Sequence, residues 1–202
     1  MPASPSDNEP RSRTYAIRAI ATLVAIAVIG LVAFMLTSSR ERPRAALIGG
    51  AFALQDADGK TISDQTLHGR PFLVYFGYTH CPDVCPTELA HISDILTQMG
   101  DKSIPALFIT VDPERDTPKL MQEYVESFNP AIIGLSGSPQ AIESTEKTFR
   151  VFARKGELQA DGDYSMDHSS IVYLMDKNGA FVEAFNVERP PKDAAKDLER
   201  FL

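Results

Sequence analysis

Residues 71–86 read PFLVYFGYTHCPDVCP and contain both cysteines of the chain. The run over residues 71–76 is short, apolar and rich in aromatic and β-branched side chains, which predicts a buried strand. A helix should follow Cys85, because Pro86 suits a first helical position and Gly100 is a typical helix end. Ligands of open α/β sheets bind outside the carboxyl ends of strands. The turn that holds Cys81 and Cys85 is therefore the candidate functional site.

Strand and helix patterns alternate on either side of this stretch. We predict a hairpin over residues 51–57 and 61–62, strands over 71–76, 106–111 and 132–135, helices over 85–100, 117–128 and 138–152, a hairpin over 171–175 and 180–185, and a closing helix over 191–201. Alternating units imply a parallel sheet core, and the late hairpin makes the sheet mixed. The expected fold class is α/β, with a thioredoxin-like mixed sheet flanked by helices and an added N-terminal hairpin.

The N-terminal part differs from the rest. Residues 19–36 form an uncharged apolar run, just long enough for one transmembrane helix. The run is longer than the apolar core of a cleaved signal peptide, so we expect an anchor. The expected organisation is an N-terminal tail over 1–18, the anchor over 19–36, a linker over 37–44 and one domain over 45–202. Three arginines lie on each side of the run, so the positive-inside rule leaves the orientation open.

The charge of the globular part restricts its partners. Residues 45–202 carry 14 basic and 24 acidic side chains, a net charge of −10. Nucleic-acid binders need the opposite sign. We therefore expect partners among proteins and cations, and no nucleic acid.

Three kinds of chemistry suit two cysteines that are four residues apart. The start of a helix stabilises a thiolate, so we expect a lowered thiol pKa and a reactive pair. A structural disulfide would close a loop too short to contribute much stability. Redox enzymes of the thioredoxin type have two intervening residues, whereas Cys81 and Cys85 have three. Two thiolates can also hold a soft ion such as Cu(I).

A metal site would need a further ligand, and the chain has four histidines: His68, His80, His91 and His168. His80 precedes Cys81 directly, His91 falls on the polar side of the predicted helix, and His68 lies in a turn. His168 stands just before the late hairpin, in a loop that faces the cysteine turn in a thioredoxin-like fold. Topology alone does not decide whether His168 is a metal ligand or a solvated side chain.

At these residues the sequence resembles the Sco/SenC family of copper-binding proteins, which act in cytochrome c oxidase assembly. The resemblance covers about residues 50–190. It is carried by GAFAL at 50–54 with Asp56 and Gly59, VYFGYTHCPDVCP at 74–86, TVDPERDTP at 110–118 and DHSS at 167–170.

The resemblance implies copper, as Cu(I) or Cu(II), held by Cys81, Cys85 and His168. It implies a thioredoxin-like domain behind one membrane helix, in the bacterial inner membrane with the domain in the periplasm and the tail in the cytoplasm. The implied partners are cytochrome c oxidase subunit II and other periplasmic copper chaperones or thiol reductants. The implied function is that of a copper chaperone for the binuclear copper centre of the oxidase.

Two other functions stay open at this point. A thiol–disulfide oxidoreductase would reduce the subunit II cysteines through Cys81 and Cys85. The residue before Ile171 is not the proline that thioredoxins carry there, which argues against this function. A peroxidase needs a single reactive cysteine beside a threonine or serine and an arginine. Thr79 is near, but Cys85 would capture the oxidised Cys81 sulfur as a disulfide.

Two polar stretches have structural explanations. Residues 116–118 suit a helix start, with Thr117 as the cap and Pro118 in the first position. Asp112 and Arg115 could instead orient site residues or bind a partner. The acidic residues 161–163 lack the spacing of a calcium loop, and we expect them to be solvated.

Overall fold

The structure, a computed structural model, describes Arg18 and residues 21–24, 26–30, 48–160 and 162–202. The chain divides into two compact units, Met1–Ala46 and Leu47–Leu202. The described residues of the first unit are helical. Among the described residues, no helix is both long and apolar enough to cross a membrane. Half of the predicted anchor, residues 19, 20, 25 and 31–36, lies outside the described part of the chain.

The second unit alternates strands and helices as predicted. Its elements are β1 (Ala53–Gln55), β2 (Thr61–Ser63), β3 (Phe72–Gly77), α1 (Val84–Met99), β4 (Ala106–Thr110), α2 (Pro118–Val125), β5 (Ile132–Leu135), α3 (Pro139–Phe149), β6 (Ala153–Lys155), β7 (Met166–His168), β8 (Val172–Met175), β9 (Phe181–Ala184) and α4 (Pro191–Leu198).

The central sheet has five strands in the order β5-β4-β3-β8-β9. β3, β4 and β5 are parallel, whereas β8 pairs antiparallel with both β3 and β9. β1 and β2 form a separate antiparallel hairpin, as do β6 and β7. The prediction of a mixed α/β sheet flanked by helices, with an N-terminal hairpin, is confirmed.

The middle of the sheet is buried on both faces. All six residues of β3 and all five of β4 are buried, as expected for parallel strands that helices cover. α1 packs against α4, α2 against β5 and α3 against β1. The predicted apolar stripe of α1 is confirmed, since Leu89, Ile92, Leu96 and Met99 are all buried. This packing fixes the start of α1 against the end of β3.

Several predicted boundaries are wrong. α1 begins at Val84, so Pro86 is its third residue and not its first. α2 ends at Val125, short of the predicted residue 128, and α3 ends at Phe149, where Arg150 takes a left-handed conformation.

The hairpin of β6 and β7 was not predicted. Each strand has only three residues, and neither contains a fully buried side chain, so neither shows an apolar alternation.

Candidate metal centre

The loop after β3 and the first turn of α1 present the two cysteines side by side. The Cys81 N–H donates to the Tyr78 carbonyl over 3.3 Å, which closes the turn after β3. The Cys85 N–H then donates to the Cys81 sulfur, also over 3.3 Å. Both side chains are free thiols; Cys81 is half-buried and Cys85 is fully buried. The start of the helix therefore points a backbone donor at the more accessible sulfur.

Gly77, the last residue of β3, makes room for the Cys85 sulfur. A Cβ atom at this position would lie 2.8 Å from that sulfur and 2.6 Å from the Phe108 ring. Real Cβ atoms do not approach other atoms so closely, because protein interiors are already close-packed. Only glycine lets the sulfur lie against the sheet.

The structure corrects the expectation that both thiols have a lowered pKa. Burial, and after it the neighbouring Cys81 sulfur, together raise the pKa of the Cys85 thiol to about 12. Cys85 lies in the first turn of α1, and the helix start stabilises a thiolate there. The free-energy cost of removing the thiolate from water is larger than this stabilisation. A bound cation would displace the Cys85 proton, so the buried thiol suits a metal ligand better than a free nucleophile.

His168 approaches the cysteines from the β6–β7 hairpin, at the last residue of β7. Its Nε2 atom lies 3.6 Å from the Cys85 sulfur. Its Nδ1 atom lies 3.0 Å from the Ser169 carbonyl oxygen, which can only accept a hydrogen bond. We therefore assign the proton to Nδ1, which leaves the lone pair of Nε2 directed at the sulfur. The Tyr78 ring packs edge-on against the imidazole, with 5.8 Å between ring centroids.

The ligand atoms of Cys81, Cys85 and His168 all lie within 4.8 Å of one another. Within residues 48–160 and 162–202, no other group of cysteine, histidine and acidic side chains is arranged this way. Two sulfurs and one imidazole nitrogen are soft donors that suit Cu(I), whereas structural zinc sites usually have four protein ligands. The donor set therefore fits copper.

The other three histidines stay apart from this group. His80 is exposed, and its Nδ1 atom lies 3.0 Å from the Thr79 hydroxyl. His68 is exposed beside Gly179. His91 is half-buried on α1, where its Nδ1 atom is buried without a hydrogen-bond partner.

The sequence profile of the SCO1/SenC family matches residues 40–202. The chain belongs to the SCO1/SenC family. It is 42% identical over 151 residues to Protein SCO1 homolog 1, mitochondrial, of Arabidopsis thaliana. That match covers 72% of this chain but only 45% of the Arabidopsis protein, so the chain spans about half the length of this relative.

Solved structures of Sco proteins share the fold. Bradyrhizobium japonicum ScoI, solved with copper bound, is 52% identical with a TM-score of 0.74, covering 77% of this chain and 99% of that one. BsSco, a member of the Sco family of cytochrome c oxidase assembly proteins in which a disulfide switch was identified, is 25% identical with a TM-score of 0.61. This similarity covers 77% of our chain and 94% of BsSco. The thioredoxin-like fold of the Sco domain is thereby confirmed.

In this Sco domain, Asp116 anchors the loop that leads to the cysteines. Its carboxylate is completely buried. It accepts hydrogen bonds from the Thr79 backbone N–H (3.1 Å), the Thr79 hydroxyl (2.6 Å) and the Thr110 hydroxyl (2.8 Å). We predicted only a helix-start role for Asp116, which is wrong for its side chain. Thr117 is the cap as predicted, since its hydroxyl accepts from the Leu120 N–H.

A second cluster ties the His168 hairpin of the Sco domain to the loop after β4. The Tyr164 hydroxyl donates to Asp112 over 2.9 Å, and the Arg115 guanidinium donates to the same carboxylate over 2.5 Å. Arg115 also pairs with Asp163 at 2.6 Å and lies 3.6 Å from the centre of the Tyr164 ring. Gly162 and Asp163 are exposed, as expected, and Asp163 makes this ion pair at the surface, while Asp161 lies outside the described residues. Asp112 and Arg115 can position His168 through these contacts.

Proposed function

We propose that this protein is a copper chaperone of cytochrome c oxidase assembly that holds copper through Cys81, Cys85 and His168. The proposal rests on one observation: two thiols from one turn and an imidazole from a distant hairpin converge within 4.8 Å. Three such donors suit Cu(I), and the same set takes Cu(II) with an added ligand. The client that we infer is subunit II, with its binuclear copper centre.

The unequal burial of the ligands suggests how copper would leave. Cys81 is half-buried, whereas Cys85 is fully buried with its sulfur against Gly77 of β3. A client thiol would therefore reach the copper from the Cys81 side. His168 belongs to a hairpin that is separate from the central sheet, so it can withdraw without breaking the strand pairing of that sheet. Exchange would begin at Cys81 and end with release from the buried Cys85.

The three-ligand site is tested by measuring copper affinity against a competing chelator. We expect His168→Ala to weaken the binding of both Cu(I) and Cu(II) at least tenfold, because one of three donors is lost. His80→Ala is the matched control, since His80 adjoins Cys81 but is not one of the converging ligands, and this variant should bind as the wild type does. Equal affinity of His168→Ala and the wild type would refute the three-ligand site.

Thiol–disulfide exchange is the second candidate, favoured by the hydrogen bond from the Cys85 N–H to the Cys81 sulfur. In that reaction the Cys81 thiolate would attack a client disulfide, and Cys85 would then displace the client thiol. Two thiols become one disulfide here while the client disulfide becomes two thiols. A reduction potential near that of thioredoxin, about −270 mV, with turnover on a client disulfide, would support this function.

The two functions also differ in cells that lack the protein. If added copper restores oxidase activity to a deletion strain, delivery is the supported function. If copper fails and the client thiols are found oxidised, reduction is supported.

We further propose that residues 19–36 anchor the protein in the bacterial inner membrane, with the Sco domain in the periplasm. There it would meet subunit II and other copper chaperones or thiol reductants. The apolar run of 18 residues supports this location. Protease added to spheroplasts should digest the domain while a cytoplasmic marker survives; protection of the domain would contradict the proposed orientation.

A further inference from the structure

The hydroxyl group of Tyr75 is buried without a hydrogen-bond partner. Tyr75 itself is almost completely buried in the middle of β3. Buried tyrosine hydroxyls usually find a partner, and leaving one unpaired costs about 1–3 kcal/mol. An unpaired polar group at such a position calls for a functional explanation.

Tyr75 lies on the same side of the sheet as the candidate metal centre. Side chains alternate along a strand, so Tyr75 shares its face with position 77. The Cys85 sulfur and the Phe108 ring both approach Gly77 on that face. The Phe108 ring in turn stacks on the Tyr75 ring, with 5.7 Å between centroids. Tyr75, Phe108 and the Cys85 sulfur therefore form one packed group.

The electrostatics agree with this arrangement. Burial raises the pKa of Tyr75 well above its ordinary value, and the Cys85 sulfur is the next largest cause. A tyrosine hydroxyl is a hydrogen-bond donor. A thiol sulfur is only a weak acceptor, whereas a thiolate is charged and accepts strongly. The Cys85 sulfur is also the nearest side-chain hydrogen-bond group for Tyr75, so the hydroxyl faces only a weak acceptor for as long as Cys85 is a thiol.

We propose that the Tyr75 hydroxyl donates a hydrogen bond to the Cys85 sulfur when Cys85 is a copper-bound thiolate. Tyr75 is then a positioning residue for the centre, and its hydrogen bond draws electron density from the sulfur. Hydrogen bonds to coordinating sulfur are among the means by which a protein tunes a copper site. The inference rests on the proposed function, because it requires Cys85 to hold copper.

The Tyr75→Phe substitution removes the hydroxyl and keeps the ring that stacks on Phe108. We expect the metal-free variant to be at least as stable as the wild type, since an unpaired buried group is lost. We expect its affinity for Cu(I) to fall about tenfold, the low end of the effect of losing such a supporting contact. The sulfur-to-Cu(II) charge-transfer band should move to longer wavelength, because the sulfur lone pair is no longer stabilised.

Tyr173→Phe is the matched control. Tyr173 is also buried, on the neighbouring strand β8, and burial is the cause of its raised pKa. This variant should leave the copper affinity and the charge-transfer band unchanged. The comparison separates the loss of a tyrosine hydroxyl in general from the loss of one beside Cys85.

The outcomes distinguish this inference from the proposed function. If the wild type binds copper and Tyr75→Phe matches it in affinity and spectrum, the inference about Tyr75 is wrong and the proposed function stands. If metal-free Tyr75→Phe melts at a lower temperature than Tyr173→Phe, the hydroxyl already has a partner and the inference is also wrong. If the wild type does not bind copper, the proposed function fails.

Discussion

Replacing Asp116 by alanine should unfold the loop that carries Cys81 before it affects the sheet. The Asp116 carboxylate is completely buried and accepts three hydrogen bonds between 2.6 and 3.1 Å. Two of the donors belong to Thr79, which lies two residues before Cys81. The third is the hydroxyl of Thr110, the residue that pairs with Gly77 in the sheet. Asp116 therefore connects β4 to the loop that carries Cys81.

The expected loss of unfolding free energy follows from the three hydrogen-bond donors that lose their acceptor. Each buried donor that loses its acceptor costs about 1–3 kcal/mol, and the Thr79 N–H, as a backbone group, cannot turn toward another partner. The two hydroxyls can rotate, so their cost lies at the low end of the range. We expect Asp116→Ala to lower the free energy of unfolding by about 3–5 kcal/mol in total, a large share of the roughly 5–15 kcal/mol of a typical domain.

The assay is urea unfolding followed by circular dichroism, together with copper competition under native conditions. Asp116→Asn keeps the shape of the side chain and one acceptor oxygen. It should therefore lower the free energy of unfolding by less, about 1–2 kcal/mol. Asp94→Ala is the control at an exposed position of α1 and should stay within about 0.5 kcal/mol of the wild type. Copper affinity should fall in the order wild type, Asp116→Asn, Asp116→Ala. A loss of less than about 1 kcal/mol for Asp116→Ala would refute the reasoning, since three unpaired donors cannot cost so little.

Three further substitutions test other parts of the structure. Gly77→Ala places a methyl group against the Cys85 sulfur and should cost about 1–3 kcal/mol of unfolding free energy while weakening copper binding, by the same two assays. Tyr164→Phe removes the 2.9 Å hydrogen bond to Asp112 and should speed hydrogen exchange in the β6–β7 hairpin several-fold. Burial raises the pKa of Glu146 from 4.5 to about 7, so the folded state binds a proton more tightly than the unfolded state and stability falls as the pH rises between these values. After allowance for solvent screening, the wild type should lose about 1 kcal/mol between pH 4.5 and 8, measured by chemical unfolding, and Glu146→Gln should not show this loss.

Each of these predictions has an outcome that contradicts it. Normal copper affinity in Gly77→Ala would mean that the sulfur has room to move. Unchanged exchange in the hairpin of Tyr164→Phe would mean that the contact to Asp112 does not hold it. Parallel pH profiles for Glu146→Gln and the wild type would mean that Glu146 does not titrate with a raised pKa in the folded protein.

The fold and the cysteine turn could be predicted because they depend on local patterns. Apolar runs and helix-end signals are read within windows of a few residues, and they located every strand of the central sheet. The same signals placed Cys81 after the end of β3 and Cys85 at the start of α1. Chain position alone therefore identified two of the three candidate ligands, and the resemblance to a family was needed to favour His168 among the four histidines.

The rest of the site depends on contacts between segments far apart in the chain. The hairpin that carries His168 has strands of three residues without apolar alternation, and the contacts of Tyr164 and Arg115 hold it in place. Asp116 looks like an ordinary helix-start residue until folding buries its carboxylate against Thr79. The direction of the Cys85 pKa was predicted wrongly, because a helix start is a local feature and burial is not. The sequence by itself determined which residues stand at the turn after β3, and only the tertiary structure decided how deeply each is buried and what it contacts.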